Sequence, residues 1–139
     1  MAENPLHRVL YVSSARESVS SASRAGKDIF SRARNVAIDI TGALLYADGN
    51  FMQLLEGPRD AVLATLARIE KNPLHSGVIV LINGPAAARQ FDAWSMAYSQ
   101  ATWEEMTEVR NACRTSNDSA VLILKGFATN TSRFRIGAG

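Results

Sequence analysis

The stretch DITGALLYADGNFMQLLEGP, residues 39–58, constrains the fold more than any other part of the chain. Two apolar runs flank Asp48-Gly49, and Asp-Gly favours the tight turns that join hairpin strands. The runs on either side are therefore antiparallel neighbours. Side chains alternate along a strand, so Phe51, Gln53 and Leu55 share one face while Met52, Leu54 and Glu56 share the other. That leaves a glutamine between a phenylalanine and a leucine. A buried amide without partners costs about 1 to 3 kcal/mol, so Gln53 requires polar company on that face.

The remaining elements fall into place around the hairpin. Residues 7–13, HRVLYVS, read as a first strand with Val9, Tyr11 and Ser13 on one side. A serine-rich stretch leads into a helix from about residue 21 or 23 to Asn35, whose apolar positions step at three and four and leave its basic residues mostly elsewhere. Pro58 suits a first helical position, and Val62, Leu63, Leu66 and Ile69 recur at helical spacing until Asn72-Pro73 stops the run. GVIVLIN, 77–83, is a fourth strand ended by Asn-Gly-Pro, and WSMAYSQ, 94–100, a fifth. Strand, helix, strand, strand, helix, strand is the split pattern of an α+β, ferredoxin-like sheet, with both helices on one face and a fifth strand extending it. Residues 102–114 and 118–128 read as two amphipathic C-terminal helices covering the other face. One domain is expected: a main unit over 1–100, capping helices over 101–128, and a loose tail over 129–139.

Composition excludes more than it selects. Lys and Arg number 15 against 13 acids, a net charge of +2, which is no concentrated basic stripe for nucleic acid. One cysteine and two histidines leave no disulfide framework and no metal site in view, and fit a reducing, cytoplasmic setting. No apolar run approaches membrane-spanning length, so no membrane role is expected. Phosphate loops and nucleophile elbows of the usual kinds are absent, and no catalytic residue is assigned.

The informative residues are polar ones set in apolar surroundings: Tyr11, Asn35 and Gln53. Singly, each has an ordinary explanation, as one aromatic among several, a helix cap, and an amide bonded to neighbouring backbone. Together they place a phenol and two carboxamides around the slot between the helices and the sheet. That set suits a planar heteroaromatic ligand rimmed with carbonyls and ring nitrogens.

These residues lie within segments that resemble the BLUF domain, a flavin-using blue-light sensor: LYVSS at 10–14, RNVAIDITGALLY at 34–46, GNFMQLLEGPRDAV at 49–62, RIEKNPLH at 68–75 and FDAWSMAY at 91–98. The resemblance runs from about Arg8 to Tyr98. It implies a non-covalently bound flavin, FAD in the first instance with FMN or riboflavin as the other forms, held by the two helices on one face of the sheet. Tyr11 matches the light-driven electron donor, Gln53 the switching glutamine beside flavin N5 and C4=O, and Asn35 the asparagine at the ring's carbonyl edge. Ser13 and Ser31 match serines near the site. Trp94 and Met96 match a fifth-strand pair linked to signal output. Arg68, Asn72 and His75 match positions towards the ribityl chain and phosphate. Position 72 is usually aspartate in the family, Lys27 and Asp28 stand where aliphatics are usual, and Asp39 stands where glycine is common.

The resemblance implies a photosensor rather than an enzyme, signalling to a downstream protein through the C-terminal helices around Trp103, Met106 and Leu122 to Leu124, and a homo-oligomer. Two rival classes share the fold. An acylphosphatase-like hydrolase would use Arg16 and Asn35, but no glycine-rich anion loop accompanies Arg16. An RNA-binding module would need clustered aromatic and basic residues on central strands, which this sequence lacks.

Overall fold

A computed structural model describes residues 5–15, 39–73, 75–91, 94–129 and 135–138. The helix expected before and up to Asn35 lies outside these residues. The strands are β1 (Leu6–Ala15), β2 (Thr41–Ala47), β3 (Asn50–Pro58), β4 (His75–Pro85), β5 (Trp94–Gln100) and β6 (Arg135–Ala138), and the described helices are α1 (Arg59–Glu70), α2 (Trp103–Ala112) and α3 (Asn117–Thr129). They build one sheet in the order β4-β1-β3-β2-β5-β6.

The hairpin forms as the sequence predicts. Ala47 pairs with Asn50 across a two-residue turn, and Asp48 and Gly49 both take positive φ, 49° and 81°. That combination matches strand twist and favours Asp-Gly. At the other end of the hairpin, the strands approach so closely that a Cβ on Gly42 would lie 1.9 Å from the Leu54 carbonyl oxygen. β1 and β4 pair antiparallel with each other, β1 pairs antiparallel with β3, and β5 joins β2 in parallel. The arrangement is α+β and ferredoxin-like, with β5 and β6 added at one side.

Strand alternation sorts the sheet into two cores. Val9, Tyr11, Leu44, Phe51 and Leu55 pack with Val62, Leu66 and Ile69 of α1. Leu10, Val12, Ala43, Leu45, Met52 and Leu54 pack on the opposite side with Met106 and Val109 of α2 and Val121 and Leu124 of α3. The period-two pattern of β1 to β3 thus buries both faces.

α1 starts one residue later than expected, because Pro58 is its N-cap and the last residue of β3. α2 opens with a capping box: Thr102 and Glu105 each accept the other's backbone N–H at 3.0 Å. Arg8 of β1 meets Asp118 in the first turn of α3 at 2.6 Å, tying the sheet to that helix.

Two expectations are corrected. Met106 and Leu124, expected on a readout surface, are 1% and 0% exposed, because the apolar stripes of α2 and α3 face the sheet; Trp103 and Leu122 are the exposed members. Residues 135–138, expected in a loose tail, pair with β5 as β6. Among the described residues no helix is long and apolar enough to cross a membrane.

Candidate functional site

Tyr11 and Gln53 meet in the middle of the sheet. They are register partners on β1 and β3, both are fully buried, and the Tyr11 hydroxyl donates to Gln53 Oε1 at 2.5 Å. The sequence folds this way because Tyr11 shares its face with Val9, and Gln53 shares its face with Phe51 and Leu55. Those apolar neighbours hold the pair dry on the α1 side. In low dielectric such a bond is stronger than in water, and losing it is correspondingly costly.

A second polar pair lies beside the first. Ser13, 3% exposed, places Oγ 2.7 Å from His75 Nδ1, while His75 Nε2 lies 2.7 Å from the Ile69 carbonyl oxygen. A carbonyl only accepts, so the neutral ring carries its proton on Nε2 and takes the serine hydroxyl at Nδ1. His75 thereby joins β1, the end of α1 and the start of β4. Its ring stands edge-on to Tyr11 at 6.2 Å and to Phe51 at 6.3 Å, and Tyr46 packs on Phe51 at 5.3 Å.

The register draws a single row across all six strands. Val80 pairs with Tyr11, Tyr11 with Gln53, Gln53 with Leu44, Leu44 with Tyr98, and Tyr98 with Ile136. Tyr11 and Gln53 are its second and third members, counted from β4. β5 reaches Gln53 only through β2.

The other expected residues are distributed around this centre. Arg68 is exposed on the last turn of α1. Asn72 is buried just beyond it, its backbone N–H returning to the Ile69 carbonyl at 3.0 Å. Asn35 and Ser31 lie outside the described residues, as do Arg16, Lys27 and Asp28. Trp94 and Met96 lie on β5, and their side chains are outside the description.

Sequence reasoning missed Glu56. It is 1% exposed on the face away from Tyr11, where Oε1 accepts the Phe91 N–H at 2.6 Å and the Thr41 hydroxyl at 3.2 Å, and Oε2 accepts the Gln90 N–H at 2.9 Å. Arg89 donates to the Thr41 hydroxyl at 2.9 Å and pairs with Asp39 at 3.2 Å. Burial pushes the Glu56 carboxyl above its ordinary range, opposed by the two backbone donors, Thr41 and Arg89. The residue therefore clamps the segment before β5 onto the same strand that carries Gln53. A lone acid in an apolar run, on the face of Met52 and Leu54, was the available signal: a buried charge needs partners.

The buried set fits an isoalloxazine in its donor chemistry. Gln53 joins an acceptor oxygen, which takes the Tyr11 hydroxyl, to an N–H₂ donor group, and a flavin rim presents carbonyl oxygens and ring nitrogens that accept from such a donor. Flat aromatic groups beside the pair, Phe51 and His75, suit a planar guest.

Comparison with known proteins agrees. Residues 6–97 match the family model described as BLUF, sensors of blue-light using FAD. The photoactivated adenylate cyclase subunit beta of Euglena longa is 32% identical over 95 residues, 68% of this chain but 11% of that protein. The dark-state structure of BlrB, a BLUF protein, is 28% identical with a TM-score of 0.67, covering 91% of this chain and 98% of that one. Klebsiella pneumoniae BlrP1 with FMN and cyclic diGMP is 25% identical with a TM-score of 0.59, over 68% of this chain and 25% of that one.

Proposed function

This chain belongs to the BLUF family of blue-light sensors, and from that premise we propose that Tyr11 and Gln53 form its light-driven switch beside bound FAD, signalling to a separate partner protein. The observation that carries the reading is the buried bond between the Tyr11 hydroxyl and Gln53 Oε1. FAD is favoured by the family description; FMN and riboflavin carry the same ring. Asn35 and Ser31 would hold the ring from the preceding segment, with Ser13 near it, and Arg68 and Asn72 would serve the ribityl and phosphate end. His75 commits both nitrogens to Ser13 and Ile69, so its part is to orient Tyr11 and wall the site rather than to donate to a phosphate.

When bound, the flavin supplies the blue-light chromophore and a light-driven electron acceptor. The chain supplies the switch. Tyr11 holds its phenolic proton against Gln53 Oε1, and a carboxamide offers an acceptor on one side and donors on the other. Half a turn of the amide, or its imidic-acid tautomer, reverses what Gln53 presents to Tyr11 Oη. Apolar neighbours keep water from offering a substitute partner.

Moving a population from mostly one state to mostly the other needs about 5.5 kcal/mol of differential stabilisation. One hydrogen bond contributes about 0.5 to 1.5 kcal/mol net, so several contacts must change together. The six-strand row through Gln53 supplies neighbours for that. Leu44 and Tyr98 lead to β5, where Trp94 and Met96 stand, and the C-terminal helices follow. We assign the chain no substrate turnover of its own, a cytoplasmic setting, and a homo-oligomeric state.

The test is the visible spectrum before and after blue light. The purified protein is expected to be yellow and its flavin band to move reversibly to longer wavelength. Gln53→Leu should keep the colour and lose the movement; a full shift in that variant would overturn the role of Gln53.

A further inference from the structure

Among the described residues, four large apolar side chains are well exposed, and two of them, Ile79 and Trp103, line one pocket, with Val80 following on the face of its register partner Tyr11. Ile79 and Val80 of β4 are 53% and 38% exposed, and Trp103 at the start of α2 is 43% exposed. Between β4 and α2 runs a groove of about 540 Å³, lined by Val80, Leu81, Trp103, Thr107, Arg110 and Arg114 among others. Ile79 continues it towards the end of β1. Exposed apolar clusters of this kind, rimmed by polar groups, mark interaction sites.

Charge narrows the occupant. Trp103, Thr107, Arg110 and Arg114 follow at four, three and four residues, one stripe of α2 and the turn after it. Glu104, Glu105 and Glu108 fall on other faces of the helix and do not line the groove. Its charged lining is therefore two arginines without an acid. Cys113 lines it too, its thiol pushed up by burial.

Backbone geometry narrows it further. β4 is the outer strand of the sheet, paired only with β1 among the described residues. An outer strand presents unpaired N–H and C=O groups, which proteins usually cover or blunt. Here the edge is eleven residues long and carries apolar side chains in the middle.

We propose that the groove between β4 and α2 docks an extended, acidic segment of a partner protein, which pairs with the β4 edge, rests apolar side chains on Ile79 and Trp103, and sets carboxylates against Arg110 and Arg114. Main-chain pairing gives affinity in such strand addition and the side-chain contacts give selectivity. A symmetric second copy would bring the arginines of both chains together. Single-stranded RNA would use Trp103 but leave the β4 backbone and Ile79 unused. Val80 is the register partner of Tyr11, so the edge that would receive the segment is one strand from the switch.

The proposal deepens the output role given to α2 and rests on it, yet binding is measured in the dark on flavin-loaded full-length chain, so a failure of light to alter affinity is a separate result. Random peptides displayed on phage are selected against the protein. The expected winners combine acidic residues with branched or aromatic ones and slow hydrogen exchange at β4 amides. Arg110→Glu with Arg114→Glu, and separately Trp103→Ser, should each weaken them about tenfold or more at unchanged flavin absorbance and melting temperature. Basic winners, no winners, winners indifferent to both variants, tighter binding of oligouridine, or a groove occupied by a second copy in solution would each overturn it.

Discussion

Tyr11 and Gln53 sit opposite each other on adjacent antiparallel strands, both without solvent contact, with the phenol donating to the amide oxygen. The pair sits among Val9, Phe51 and Leu55 with the Ser13–His75 pair beside it, so its hydrogen-bond pattern changes by exchange among buried groups rather than with bulk water. Tyr11→Phe removes the phenolic proton and keeps the ring. The expected result is retained flavin colour, loss of the reversible shift, and a stability loss of about 1 kcal/mol. A full light-induced shift in Tyr11→Phe would remove the phenol from the switch.

The His75 ring makes a more local prediction. Because the Ile69 carbonyl accepts at Nε2, long-range proton–nitrogen NMR should find the proton on Nε2 and a proton-free Nδ1 in the neutral ring. Ser13→Ala takes the donor from Nδ1, leaving a buried acceptor, and should cost about 1 to 3 kcal/mol in urea unfolding. A signal showing the proton on Nδ1 would contradict the assigned bonding.

Much of this fold was legible, and the reasons are local. Asp48-Gly49 announced the hairpin because few dipeptides tolerate two positive φ values. The alternation of Val9 and Tyr11 with Leu10 and Val12, and of Gln53 with Met52 and Leu54, is what sorts Tyr11 and Gln53 from the opposite core. What was not legible depends on partners far along the chain. His75 finds its serine 62 residues away, and Glu56 finds backbone donors 34 and 35 residues away, separations that leave no periodic trace. Met106 and Leu124 lie on the expected helices but face inward, because periodicity gives the stripe and not what covers it. RIGA, with glycine in a four-residue strand, is too short to announce β6.

Glu56 should make stability depend on pH in an unusual direction. Its folded carboxyl titrates above 4.5, chiefly through burial, so the folded state binds the proton more tightly than the unfolded chain does. The stabilisation from this group is fully present below pH 4.5 and is lost as pH rises through the folded value. Glu56→Gln removes the titration and turns an N–H₂ towards one of the two backbone donors, at a cost of about 1 to 3 kcal/mol. Subtracting urea midpoints of the variant from those of the unaltered protein should give a difference that shrinks from pH 4.5 upwards. A difference that grows with pH would mean the backbone donors outweigh burial.

Asp39 pits two small effects against each other. Its φ of 64° lies in the left-handed region, which explains why glycine is common at this position in the family, and its carboxylate pairs with Arg89 at 3.2 Å. Left-handed backbone costs an ordinary residue about 1 kcal/mol, and less for aspartate, whose short polar side chain tolerates it. The Asp39 side chain is 66% exposed, so its ion pair is screened and contributes about 0 to 1 kcal/mol. Asp39→Gly relieves the first and loses the second, and the melting temperature should hardly move. Asp39→Ala loses the ion pair while keeping an unfavourable Cβ, and should be the less stable of the two by about 1 kcal/mol. If alanine instead matched or exceeded glycine, the positive φ at residue 39 would not be the conformation the hairpin requires.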